Sequence, residues 1–323
     1  MTPRTLATVA DDLAARLPGR VERDVAIATL TTYRLGGPVA VLVRAQRLAD
    51  LVELAAVVVA HAPPVLVVGR GSNLLVADRG FRGVAVVLEG EFDHVDLTPT
   101  APTAEHPADA SGPATVRAGG AAALPVLARR CAAAGLGGLE FYVGIPGSVG
   151  GAVRMNAGGH GRDTAEVLRS ALVVDLGAGG TARALTATDL DLGYRRSALG
   201  PLDVVTGAEL RVTPRPAARS EEEIAEIVAW RRAHQPGGAN AGSVFSNPAG
   251  DSAGRLIDAT GCKGLRVGGA VVSDKHANFF QAEAGATADD VQRLVREVQR
   301  RVEVATGVRL VPELRMVGFE EPS

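Results

Sequence analysis

The chain has 323 residues, of which 46% are hydrophobic, 22% charged and 3% aromatic. The length suggests about two domains, and the composition is globular, which excludes disorder or coiled coil as a description of the whole. The balance of 34 Lys and Arg against 36 Asp and Glu, a net charge of −2, gives no general reason to bind nucleic acid or an anionic membrane.

The first segment, 5–17, spaces Leu6, Val9, Leu13 and Leu17 as one face of a helix. It lacks a continuous apolar run and carries Asp11 and Asp12, so it does not read as a signal peptide. A strand over 39–44, a helix over 48–60 and a buried strand over 65–68 follow, and this β-α-β order predicts parallel pairing. A glycine loop then turns the backbone into a strand over 84–90. The stretch 98–114 is poor in bulky apolar residues and rich in Pro, Thr and Ala, and it reads as a mobile inserted loop. Next come a strand over 114–119 and a helix over 124–135, with Pro125 in its first turn and Gly135 as its stop. Segments 171–176 and 181–186 form a hairpin.

Ser220 and Glu223 predict a capping box for a helix over 221–233, and the domain boundary is placed near Pro214–Ser220, giving domains 1–214 and 215–323. The second domain reads as a short strand at 243–247, a helix over 252–260 ended by Gly261, and strands over 268–273 and 276–281. A helix capped by Thr287 and Asp290 runs to about Ala305, and 310–318 closes as a strand. The longest apolar stretches, such as Leu54–Ala60, are far short of a membrane span. Cys131 and Cys262 make no CxxC, and six scattered histidines make no HxxxH, so neither a disulfide framework nor a metal site is expected. These features point to a soluble protein of a reducing compartment, most simply the cytoplasm.

Three glycine clusters stand out among 39 glycines that follow no Gly-X-Y period. In VVGRGSNLLV (67–76), Gly69 and Gly71 would let successive N–H groups face one concavity that suits a phosphate, with Ser72 and Asn73 adding side-chain donors; a tight turn explains the loop equally. Segment 144–161 holds seven glycines in eighteen residues, and it reads as extended backbone against a large flat ligand. The third, GAGGTA (177–182), approaches a dinucleotide fingerprint, but no helix follows it, so it is a hairpin turn. Arg195 in LGYRRSAL, Ser243 in NAGSVFSNP and Glu313 in RLVPELRMVG each have an ordinary reading: a surface ion pair, a strand-edge turn and a solvent-facing position. No Gly-x-Ser-x-Gly elbow surrounds Ser243.

Together, TTYRLGGP (31–38), VVGRGSNLLV, GIPGSVGGAVRMNAG (144–158), GYRRS (193–197), QPGGANAGSVFSNP (235–248), the block 253–279 and VPELRMVG (311–318) resemble the UDP-N-acetylenolpyruvoylglucosamine reductases, in the family's order and over nearly the whole length. The unbroken 253–279 block looks like the shorter variant of that family. The resemblance implies an α+β vanillyl-alcohol-oxidase/p-cresol-methylhydroxylase-type FAD-binding fold with a C-terminal α+β substrate-binding domain. It implies Arg195, Ser243 and Glu313 as catalytic residues. The implied FAD contacts are Tyr33, Arg34, Gly69, Arg70, Gly71, Ser72, Asn73, Gly144, Ile145, Pro146, Gly147, Ser148, Gly150, Gly151, Ala152, Asn156, Ala157 and Gly158.

The family reaction reduces UDP-N-acetylglucosamine enolpyruvate with NADPH as hydride donor, in peptidoglycan precursor synthesis. FAD is expected non-covalent, because neither His nor Cys occurs in 62–93 or 132–159. The sequence departs from the family at Gly159-His160-Gly161, at Ser246, at Gln281 and Ala282, and in the 98–114 insertion. A monomer or small homo-oligomer is expected, with a UDP-sugar as partner and no nucleic acid or membrane. Two rivals stay open from the residues alone: a flavin oxidase of the same fold, and a non-catalytic UDP-sugar-binding module.

Overall fold

The computed structural model describes residues 3–100 and 114–319, so most of the expected 98–114 loop lies outside the described residues. The protein forms two compact units that do not follow sequence order. One takes the residues up to Glu22, then Val41–Arg70 and Gly83–Trp230; the other takes Arg23–Ala40, Gly71–Arg82 and everything from Arg231. The division expected near 214–220 therefore falls inside the first unit. The helix that starts there, Ala217–His234, puts Ile224 and Ile227 into that unit's core.

In the first unit an antiparallel sheet runs in the order Thr181–Thr186, Leu168–Asp175, Asp203–Pro214, Ala114–Gly119, Val95–Thr100. The helices Leu124–Ala133 and Val149–Met155 cover it, burying Leu124, Leu127, Val149 and Val153 against Val116 and Leu210. The hairpin of 168–175 and 181–186 forms as expected. The strand Val65–Val68 does pair parallel, but with Phe81–Leu88, which lies between it and Pro38–Ala45. The interior position is what buries Val84, Ala85 and Val86 fully, whereas 65–67, on the edge strand, are half-buried. Both strands carry the near-continuous apolar run of a buried parallel sheet, and sequence alone does not rank them.

The capping box expected at Ser220 is absent, because the helix starts before it. Ser220 is buried, and its hydroxyl instead donates to Glu140 Oε1 at 2.7 Å. The same carboxylate accepts from Gly138 N–H (2.7 Å) and Arg215 Nη1 (2.9 Å), and Glu223 accepts from that same Nη1 (2.6 Å). Burial pushes the Glu140 carboxyl up, but the bonds from Ser220, Gly138 and Arg215 outweigh it, and the net displacement is downward. The stabilisation from this group is therefore fully present above its ordinary value of 4.5 and is lost as pH falls below that through the group's lowered folded value. Glu140→Gln should cost about 2–3 kcal/mol at pH 7. Urea denaturation at neutral and acid pH checks this: the deficit should shrink on acidification, and an equal deficit at both would remove the charge from the account.

The second unit is built on Val244, Phe245, Ile257, Val291, Leu294, Val298 and Leu314, with Tyr33 and Leu75 contributed from the early segments. Its long helix, Ala288–Thr306, carries the expected Thr287–Asp290 capping box. The hairpin strands are Ala270–Val272 and Phe280–Ala282. The expected closing strand shortens to Arg315–Val317, which pairs parallel with Leu74–Val76. Segment 243–247 is not a regular strand; it makes single bridges, Ser243 to Phe279 and Phe245 to Pro312.

Candidate active site

Those bridges set the surroundings of Ser243. Val244 C=O accepts from Glu313 N–H (2.8 Å) and Leu314 N–H (3.2 Å), so the backbone of Glu313 is tied one residue from Ser243. Asn73 extends the assembly: its Nδ2 donates to Glu313 C=O (3.1 Å), and its own C=O accepts from Arg315 N–H (3.1 Å). Sequence reasoning gave the Asn73 amide to a cofactor; here it braces Glu313. Thus Ser243 and Glu313, seventy residues apart, come together within the second unit.

Ser243 lines a cavity of about 480 Å³ together with Asn247, Arg255, Lys263, Lys275 and His276. Lys263 pairs with Asp258 at 2.7 Å, Arg255 pairs with Asp251, and Lys275 Nζ donates to Arg232 C=O. Burial, reinforced by the charge of Lys263, holds the His276 imidazole below the usual histidine range. Its Nδ1 accepts from Asn278 N–H at 3.2 Å, which leaves Nε2 as the N–H of the neutral ring. The cavity wall thus carries three cations, two of them paired with carboxylates of which Asp258 also lines it, and a neutral imidazole among small polar groups, a set suited to a phosphorylated, polar ligand. Lys275 and His276 lie in the 253–279 block, to which the sequence assigns no site residue. The polar run Ser273–His276 between two apolar strands was the available signal.

Arg195 belongs to the first unit. It sits in a tight turn closed by the Gly193–Arg196 bridge, and its φ of +56° is left-handed. Its Nη1 and Nη2 donate to Asn156 C=O (3.4 Å) and Gly158 C=O (3.1 Å), and its guanidinium lies 5.1 Å from the centre of the exposed Tyr194 ring. The turn is held by Asn156, which ends helix Val149–Met155 at a φ of +40°. The Asn156 amide donates to Gly193 C=O and to Asp163, and accepts from Ala165 N–H. That amide is therefore committed to the protein and serves the turn that carries Arg195.

The two glycine clusters meet in the first unit. A Cβ at Gly69 would lie 2.7 Å from Ser148 Oγ, so the 69–70 loop runs directly over the 147–151 segment. Segment 144–158 is not extended throughout as expected. Residues 149–155 form a helix capped by Ser148, whose Oγ accepts from Gly151 N–H. Gly150 is small for the sake of the sheet, since a Cβ there would meet Gly120 C=O and Val205 C=O at 3.1 Å. Ala152 packs in the core, Gly147 C=O accepts from Leu124 N–H, and Ala157 C=O accepts from Thr164 N–H. Gly144, Ile145 and Gly158 are half-buried, whereas Arg70 and Pro146 are exposed.

Among the residues of the second unit, Gly71 is packed so closely that a Cβ would lie 2.0 Å from Leu30 C=O. Ser72 is half-buried and Arg34 is exposed, with a φ of +55°. Tyr33 is fully buried, and its hydroxyl donates to Phe280 C=O at 3.0 Å. Its ring therefore serves the core, and burial pushes its phenol far up.

Along Gly69–Arg70 and Gly147–Gly151 a Cβ is excluded at Gly69, where Ser148 takes its room, and tolerated at Gly151. At Gly151 a Cβ would meet only Ser148 Oγ, at 3.5 Å, an ordinary contact. Gly151→Ala should therefore leave the fold intact and raise its stability by about 0.5–1 kcal/mol through helix propensity. If a flavin lies against this face, its affinity should fall at least about tenfold, roughly 1.4 kcal/mol. Flavin absorbance after gel filtration measures this, and full occupancy would take Gly151 off the cofactor face. Among the described residues, no group of three or more His, Cys, Asp or Glu could hold a metal ion.

Comparison with known proteins bears on both units. A family model described as "FAD binding domain" matches residues 39–185, and one described as "UDP-N-acetylenolpyruvoylglucosamine reductase, C-terminal domain" matches 234–317. A UDP-N-acetylenolpyruvoylglucosamine reductase of Acidiphilium cryptum is 43% identical over 97% of this chain and 97% of its own length. UDP-N-acetylenolpyruvoylglucosamine reductase 2 of Symbiobacterium thermophilum is 41% identical over 94% of each. The crystal structure of the reductase from Thermus caldophilus superposes with a TM-score of 0.78 at 37% identity, covering 92% of this chain and 99% of that one.

Proposed function

The chain belongs to the UDP-N-acetylenolpyruvoylglucosamine reductase family, and from that membership we propose that it reduces UDP-N-acetylglucosamine enolpyruvate to UDP-N-acetylmuramate with NADPH. It is an oxidoreductase with a FAD-binding α+β domain and a C-terminal α+β domain. The observation that carries the reading is the tying of Glu313 to the Ser243 segment beside a cationic cavity.

The chemistry that FAD supplies when bound is relay of a hydride from NADPH to the enolpyruvyl methylene carbon. Gly69, Arg70 and the 147–151 segment would hold the cofactor. Hydride addition leaves an enolate-like anion spread onto the substrate carboxylate. Arg195 meets that charge, as a pre-positioned donor should. Ser243 gives the proton to the carbon beside the carboxylate. A hydroxyl is a weak acid, so its competence rests on position. Glu313 orients and polarises the site. Lys263, Lys275 and Arg255 suit the diphosphate of the UDP-sugar.

Among the described residues no helix is long and apolar enough to cross a membrane; it is family membership that supports a cytoplasmic enzyme acting as a monomer or small homo-oligomer. The test is the visible spectrum of the purified protein. A flavin band should bleach with NADPH and recover with the enolpyruvyl sugar nucleotide. A colourless protein, or a band that the sugar nucleotide fails to restore, overturns the proposal.

A further inference from the structure

Asn278 is 3% exposed, and it serves the Ser243 segment with three hydrogen bonds. Its backbone carbonyl accepts from Val244 N–H (2.8 Å). Its Oδ1 accepts from Phe245 N–H (3.0 Å), and its Nδ2 donates to Phe245 C=O (2.8 Å). Two consecutive N–H groups, those of Val244 and Phe245, thus end on one residue, an irregularity that a regular strand ladder does not provide for.

The adjoining segment has no second backbone partner to give. It has already turned back, with Phe279 N–H on His276 C=O and Ser273 N–H on Phe279 C=O. A side-chain amide carries one donor and one acceptor in the arrangement of a peptide group, and it takes the place of the missing strand. Across the segment, Glu313 N–H and Ser246 N–H bind Val244 C=O and Val311 C=O, so the Asn278 amide is one jaw of a clamp whose other jaw is the Glu313 loop.

We infer that Asn278 is a positioning residue for Ser243: its amide fixes the backbone two residues beyond the hydroxyl and thereby aims the proton donor. This rests on the reading of Ser243 as that donor. A misplacement of about 1 Å costs on the order of a hundredfold, so a small loss of backbone registration is visible in rate. Asn278→Asp keeps the size and the acceptor and removes the donor to Phe245 C=O.

The variant should bind FAD and be reduced by NADPH as the wild type is, while its reoxidation at saturating enolpyruvyl substrate slows by about 10- to 100-fold. In a Ser243→Ala background the same change should add less than about twofold, because the two residues act as one unit. Amide exchange at Phe245 should lose protection in Asn278→Ala, which also removes the acceptor of its N–H. Equal slowing of both halves, an undiminished loss in the Ser243→Ala background, or retained protection at Phe245 each overturns the inference. If wild-type enzyme is not reoxidised by the sugar nucleotide, the proposed function fails, and exchange at Phe245 still decides the clamp. Should Asn278→Asp not fold, Asn278→Ser, with room for a bridging water, is judged by the same criteria.

Discussion

Replacing Ser243 with alanine should leave flavin content and NADPH-driven bleaching near wild type and slow reoxidation by the enolpyruvyl substrate by 10²–10⁴, the usual loss for a general acid. The asymmetry follows from the chemistry. Oxidation of NADPH needs no proton delivered to carbon, whereas completing the reduction of the vinyl ether does. The fold should tolerate the change, since the segment is held by the backbone of Val244 and Phe245, not by the hydroxyl. Cysteine at 243 should recover part of the rate, because a thiol is the stronger acid at similar shape. Stopped-flow absorbance separates the halves. Equal slowing would assign Ser243 a structural role, and unchanged reoxidation would remove it from the reaction.

Arg195→Gly should separate stability from turnover. At a φ of +56° an arginine backbone carries a penalty of about 1–2 kcal/mol that glycine does not. Against this stand two lost hydrogen bonds, to Asn156 and Gly158, worth on the order of 1 kcal/mol each. The two effects nearly cancel, so the midpoint of urea denaturation should barely move. Turnover should fall 10²–10³-fold, the cost of deleting one donor aimed at developing negative charge, about 3–4 kcal/mol. A retained rate would mean that the guanidinium only fastens the turn. A variant that unfolds would mean that the strained backbone is not relieved by glycine.

Much of this was legible in advance, for physical reasons that differ by region. Helices such as 48–61 and 288–306 announce themselves by apolar stripes and by caps, which are local signals. The strand 203–214 was passed over although it lies in the middle of its sheet. Gly207 and Glu209 interrupt its apolar run, and only Leu210 and Val212, alternating with Arg211 and Thr213, betray it. Ser220 matched a cap pattern but found a better partner in Glu140, eighty residues away, which no local rule contains.

The site shows the same split. Ser243, Glu313 and Arg195 could be proposed because whole motifs surround them. The duties of Asn73, Asn156 and Tyr33 were not, because each is spent on a partner distant in sequence. Glycines mislead most easily: at Gly150 the missing side chain makes room for the protein's own sheet.

The unit that carries Ser243 draws Tyr33 and Leu75 from early in the sequence and closes with Arg315–Val317 on Leu74–Val76. During synthesis its early pieces wait, with apolar side chains uncovered, until some two hundred and forty residues more have been made. Its assembly is therefore a late event with high contact order. A nascent polypeptide stalled before residue 315 would offer its uncovered Leu74–Val76 edge to chaperones or to another copy of itself. Production of active enzyme should then be limited by how fast that last strand arrives, more than by the stability of the finished protein.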